Sequence, residues 1–143
     1  MTWVVVAIII ITIIVIVIFR FISDLNKDNY DLQGKSLAEK FSMVISTIND
    51  AAFSGGGRVI SINKRQFNLY EEGQNQIVCF GYSTGHLTII WKYKYYQKEV
   101  SYEKIFRDVR NLSLFEQQRI ANVMIDEMNL VIAKHQSNVL NGF

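Results

Sequence analysis

Proline is absent from this 143-residue chain, cysteine occurs once and histidine twice. Without proline, no helix or strand is interrupted by a residue that lacks an N–H. A single cysteine, Cys79, excludes an internal disulfide framework and a cysteine-based zinc site. His86 and His135 lie far apart, with no H-x-x-x-H or H-x-x-E spacing, and read as surface histidines, not metal ligands. No G-x-S-x-G, P-loop or dinucleotide fingerprint occurs, so neither a cofactor nor a small-molecule substrate is expected.

Charge is also missing from one whole region. All 15 Lys and Arg and all 13 Asp and Glu lie at or after Arg20. Before them runs WVVVAIIIITIIVIVIF, residues 3–19, whose one weakly polar residue is Thr12. Phe21 and Ile22 extend the run past Arg20. As a helix it reaches about 27–30 Å, close to the hydrocarbon thickness of a bilayer. In water its isoleucines and valines favour a strand. In lipid a lone segment must satisfy its own backbone hydrogen bonds, which only a helix does. Trp3 at one end and Phe19, Arg20 and Phe21 at the other suit the two interfaces, with Arg20 reaching back toward water.

A cleaved signal wants a basic start, a shorter apolar core and a small-residue cleavage site. The residues before the run hold no Lys or Arg, and it exits into FRFISDLNKD with no A-x-A pattern. The expectation is an uncleaved single-pass anchor over residues 1–22. Arg20, Lys27 and Lys35 on its C-terminal flank point to a cytoplasmic domain, and Asp24, Asp28 and Asp31 on the same flank weaken that bias.

The remainder is charged and water-compatible. Residues 23–35 read as a polar connector and 36–143 as a small α+β domain. Ser36-Leu37-Ala38-Glu39 has the form of a capping box. Leu37, Phe41, Val44, Ile45, Ile48 and Ala52 follow at helical spacing, and Ser54-Gly55-Gly56-Gly57 ends that helix. From Arg58 to Lys98 the period becomes two, with turns at 64–65, 71–75 and 83–85, which predicts a four-stranded antiparallel meander. Val100–Arg110 fits either a fifth strand or a short helix. Ser113-Leu114-Phe115-Glu116 is a second capping box, opening a long helix with Ile120, Ala121, Met124, Ile125, Met128, Val131 and Ile132 on its apolar stripe, expected to end near His135. The fold expected is helix, meander, helix, packed as a two-layer sandwich.

Chemistry is sparse. Cys79 in IVCFG reads as a buried, inert thiol. Asp126 and Glu127 diverge by about 100° on a helix and do not share a proton; with Glu71 and Glu72 they read as solvating charges. The region with most character is WKYKYYQKEVSYEK, 91–104. Trp91, Tyr93 and Tyr95 alternate into the core, while the lysines are expected to guard an exposed edge against aggregation. Lys92, Lys94, Tyr96, Lys98 and Tyr102 are the candidate partner surface. The formal charge of +2 is too small to indicate nucleic acid. Together these features predict a non-enzymatic, single-pass subunit whose partners are the lipid bilayer and other proteins of a membrane assembly. A filament or envelope protein is the alternative, and a membrane-tethered enzyme or sensor a more distant one.

Overall fold

A computed structural model describes residues 2–142. Its elements, in chain order, are α1 (Thr2–Asp31), α2 (Leu37–Lys40), α3 (Ser42–Phe53), β1 (Arg58–Asn63), β2 (Gln66–Tyr70), β3 (Gln76–Ser83), β4 (His86–Tyr95), β5 (Lys98–Phe106) and α4 (Leu114–Asn141). The five strands form one antiparallel sheet in sequence order. The mixed α+β class expected from the sequence is therefore present, and the meander has five strands where four were expected. The ambiguous 100–110 segment supplies the fifth: β5 pairs with β4 from Leu87↔Phe106 to Tyr95↔Lys98. Its alternating half-buried Val100, Tyr102, Lys104 and Phe106 have the period of a strand, which the polar Lys104 on the inner face and the apolar Ile105 on the outer one obscure.

α2, α3 and α4 pack against one face of the sheet. Leu69, Val78, Phe80, Leu87, Ile89 and Trp91 point toward them and are buried. Phe67 stacks on Phe80 with ring centroids 4.5 Å apart. From the helices, Phe41, Val44, Ile48, Met124 and Met128 close the same core. Both capping boxes form, Ser36 with Glu39 and Ser113 with Glu116, each satisfying first-turn N–H groups. The helix expected to run unbroken from Leu37 is divided at Phe41, whose φ of −107° leaves helical geometry while its ring stays buried. Ser54, at φ 50°, supplies the left-handed cap. The last helix runs past His135 to Asn141, because Val139 is buried and Gln136 donates to the Tyr93 hydroxyl at 2.8 Å, which holds the final turns.

Two regions lie outside this core. In α1 the hydrophobic side chains from Trp3 to Ile22 are exposed to about half or more, and the helix is long and apolar enough to cross a membrane. Thr12 satisfies its hydroxyl on the Ile8 carbonyl at 2.8 Å, so no polar side chain before Arg20 needs an outside partner. The second region is β1, every residue of which is exposed.

Candidate functional site

α1 does not stop where its apolar run stops. It continues to Asp31, and residues 24, 28 and 31 fall on one helical face, at i, i+4 and i+7. That face docks into the end of the domain, and Asp28 is its centre, 0 % exposed. Oδ1 of Asp28 accepts from Arg110 Nη2 at 2.7 Å and from the Gly85 N–H at 2.9 Å. Oδ2 accepts from Arg65 Nη1 at 3.1 Å and from the Thr84 N–H. Four donors from three separate loops thus converge on one carboxylate.

The same cations hold the helix backbone. Arg110 Nη2 also donates to the Asp24 carbonyl at 3.1 Å, and Arg65 Nη2 to the Leu25 carbonyl at 3.2 Å and Asn29 Oδ1 at 2.9 Å. Carbonyls near a helix C-terminus carry the negative end of its dipole, so cations there are favourable where the helix's own aspartates are not. One turn on, Asp31 Oδ2 accepts from Lys40 Nζ at 2.6 Å and from the Tyr82 hydroxyl at 2.8 Å. Lys40 Nζ also reaches the Arg110 carbonyl at 2.6 Å, and Gln117 Nε2 reaches the Lys40 carbonyl at 2.9 Å. This network ties α1 to α2, to the loops after β1, β3 and β5, and to α4. Of its buried side-chain atoms, Arg110 Nε and Gln117 Oε1 have no hydrogen-bond partner.

The electrostatics follow from these contacts. Burial alone would raise the Asp28 carboxyl. The Arg110 hydrogen bond, the Thr84 N–H and Arg65 outweigh it and hold the group below its ordinary 3.8. Tyr82 is pushed up, first by burial and then by its hydrogen bond to Asp31. Gly85 sits at φ 74°, and a Cβ there would meet the Arg110 guanidinium at 3.2 Å. Only glycine combines that backbone with so close an arginine.

The sequence-derived residues are distributed differently. Trp3, Phe19, Arg20 and Phe21 lie exposed along α1. Lys92 and Lys94 are exposed on the sheet face turned away from the helices, and they guard no edge, because β4 is paired with β3 on one side and β5 on the other. Tyr96, at φ 46°, forms the β4–β5 turn with Gln97. Lys98 opens β5, and its carbonyl accepts from His135 Nε2 at 2.9 Å. Tyr102 points to the helix side, where its hydroxyl donates to Glu127, which also accepts from Lys104 Nζ at 2.8 Å. The structure therefore does not gather these five residues into one patch. Glu127, read from the sequence as a solvating charge, joins β5 to α4. The Lys104 and Tyr102 hydrogen bonds lower its carboxyl.

Cys79 lies on the open sheet face, half-buried, opposite Ile90. Burial raises its thiol, and Lys92 opposes this. His86 pairs across the turn with Ser83, and its Nδ1 accepts the Asp108 N–H at 3.2 Å, so the structure does not bring the two together. A groove of about 960 Å³ runs over this face, floored by Asn68, Cys79, Thr88 and Ile90. Among the described residues, no group of three or more His, Cys, Asp or Glu could hold a metal ion.

The remaining feature is the β1 edge. Val59, Ile60 and Ile62 are exposed on an unpaired strand edge, with Ile60 50 % open. On the helix side, a groove of about 870 Å³ separates β1 from residues 32–38 and is lined by Val59, Ser61, Phe67, Lys35 and Lys64. Compared with protein-family models, curated proteins and solved structures, the chain matches none.

Proposed function

We propose that this chain is a non-enzymatic, single-pass membrane subunit that docks into a larger protein assembly, with residues 2–22 in the bilayer and the α+β domain beside it. The observation that carries the reading is the continuous α1. Its apolar length contacts nothing in the protein, and its last two turns are fixed to the domain by the Asp28 cluster. A flexible linker would give a tether alone. A clamped helix also fixes how the domain is presented to neighbours in the membrane plane, where confinement raises effective concentration. The basic flank of Arg20, Lys27 and Lys35 favours a cytoplasmic domain.

The docking surface is β1, and its occupant is an extended segment of a partner protein that carries acidic residues. An exposed strand edge offers backbone donors and acceptors to an added strand, and the groove beside it takes alternate side chains. Arg58 stands at the start of the edge and Lys35 on the groove, so the complement is negative. A second copy fits poorly. In the antiparallel register centred on Ser61, Arg58 faces Lys64 of the copy, and like charges directly opposite are destabilising.

Photocrosslinking from positions 60 and 62, in membranes solubilised with mild detergent, tests this. A heterologous protein is expected to crosslink there and not from position 92, and Ile60→Lys is expected to abolish co-purification. Replacing residues 2–22 by an unrelated apolar helix is expected to preserve it. Crosslinks solely between identical copies would overturn the reading in favour of a filament or envelope protein.

A further inference from the structure

We infer that the end of the domain nearest the apolar run is a second membrane contact, a footing on the headgroup layer of the same bilayer that α1 enters. The inference rests on α1 being the span proposed above. Three loops meet at Asp28: the β1–β2 turn through Arg65, the β3–β4 turn through Thr84 and Gly85, and the segment after β5 through Arg110. Their level along α1 is therefore fixed. Asp28 lies about 9 Å along the helix axis beyond Ile22, and the Asp24 carbonyl that Arg110 also grips about 3 Å beyond it. The headgroup layer on each side of a bilayer is roughly 5–8 Å thick. A helix that stands near the membrane normal and ends its hydrocarbon run at Ile22 brings these loops against that layer.

The residues at this end have interfacial chemistry. Lys64 stands in the β1–β2 turn and Arg107 directly after β5; among the described residues neither forms an ion pair, while Arg65 and Arg110 are taken up by Asp28. α4 begins at the same end, since Gln117 bonds the Lys40 carbonyl while its last turns bond the far end of β4. Its first residues are apolar and open, Leu114 at 59 % and Phe115 at 77 %. Exposed bulky apolar side chains among unpaired cations are costly in water and favourable at an anionic lipid interface. Lys64 and Arg107 would face lipid phosphates, and Leu114 and Phe115 would enter the boundary below them.

The test uses the full chain in vesicles of phosphatidylcholine and phosphatidylglycerol, with single nitroxides on Val15→Cys, Phe115→Cys or Gln74→Cys in a Cys79→Ser background. Collisions with oxygen and with a water-soluble nickel chelate report depth. The footing expects hydrocarbon depth at 15, full water access at 74, and an intermediate, chelate-shielded position at 115. Lys64→Glu combined with Arg107→Glu is expected to shift the 115 label toward the value at 74. A buried label at 15 with the 115 label as water-exposed as 74 would overturn the footing and leave the span standing. Water access at 15 would overturn both. A 115 label shielded from oxygen and chelate alike would indicate a protein contact and overturn the footing.

Discussion

α1 is one uninterrupted helix with two unlike halves. From Thr2 to Ile22 it makes no contact with the rest of the chain and carries no internal charge but Arg20; from Asp24 to Asp31 it is held by two arginines, a lysine, a tyrosine and two backbone N–H groups. The first half exposes apolar side chains along its whole length and adds nothing to the domain's core. The second gives the domain a buried carboxylate on which three loops converge. Because no glycine or proline lies between them, orientation set in one half is carried into the other. The rod is thus part of the domain's architecture as well as its proposed tether.

Removing the carboxylate should erase the difference between the halves most completely. Asp28→Asn leaves Arg65 and Arg110 facing a neutral group in a desolvated cluster. Breaking a buried ion pair costs about 3 kcal/mol or more, which for a domain of this size lowers the melting temperature by roughly 10 °C. Thermal unfolding of the detergent-solubilised chain by near-UV circular dichroism would measure it. Acid should do the same progressively. The Asp28 carboxyl is lowered in the folded state, so its stabilisation is complete above the ordinary value of 3.8 and is lost as pH falls below that toward the folded-state value. The stability gap between wild type and Asp28→Asn should therefore narrow over that acid range, and a constant gap would show that Asp28 does not titrate as the cluster requires.

Smaller changes sharpen the contrast. Gly85→Ala puts a Cβ 3.2 Å from the Arg110 guanidinium at a positive φ, and should cost about 1–2 kcal/mol while leaving the sheet register intact. Glu127→Gln at the β5–α4 bridge should lower the melting temperature by less than Gly85→Ala does, since that ion pair is part-exposed. Ile60→Lys, on the exposed edge, should change stability by no more than about 0.5 kcal/mol and yet abolish partner binding. A large stability loss there would mean that β1 is held more firmly than its exposure indicates.

The sequence made the periodic parts of this fold readable. The apolar positions from Leu37 to Ala52 and the alternation of β4 are core contacts in the structure, and both S-x-x-E boxes cap helices. The sequence of β5 is ambiguous because its core-facing positions include Lys104 and Tyr102, which hydrogen-bond Glu127 on α4 instead of burying apolar surface. The Asp28 cluster was missed for a different reason. Its members come from positions 28, 65, 84, 85 and 110, and nothing local links them. The one local signal is the i, i+4, i+7 spacing of Asp24, Asp28 and Asp31, which continues a helical face past the apolar run and which, as flank charge alone, is indistinguishable from solvent-facing polarity. The exposure of β1 was equally hidden, because RVISIN has the composition of a central strand and only the topology places it at the edge.

The claim that one rigid helix joins two environments is tested most directly by hydrogen–deuterium exchange on the full chain in lipid nanodiscs. Amides of residues 24–31 should exchange as slowly as those of β3, and Asp28→Asn should accelerate 24–31 while leaving 4–20 protected. Exchange of 24–31 at the rate of an open peptide in the wild-type protein, beside a protected sheet, would contradict it.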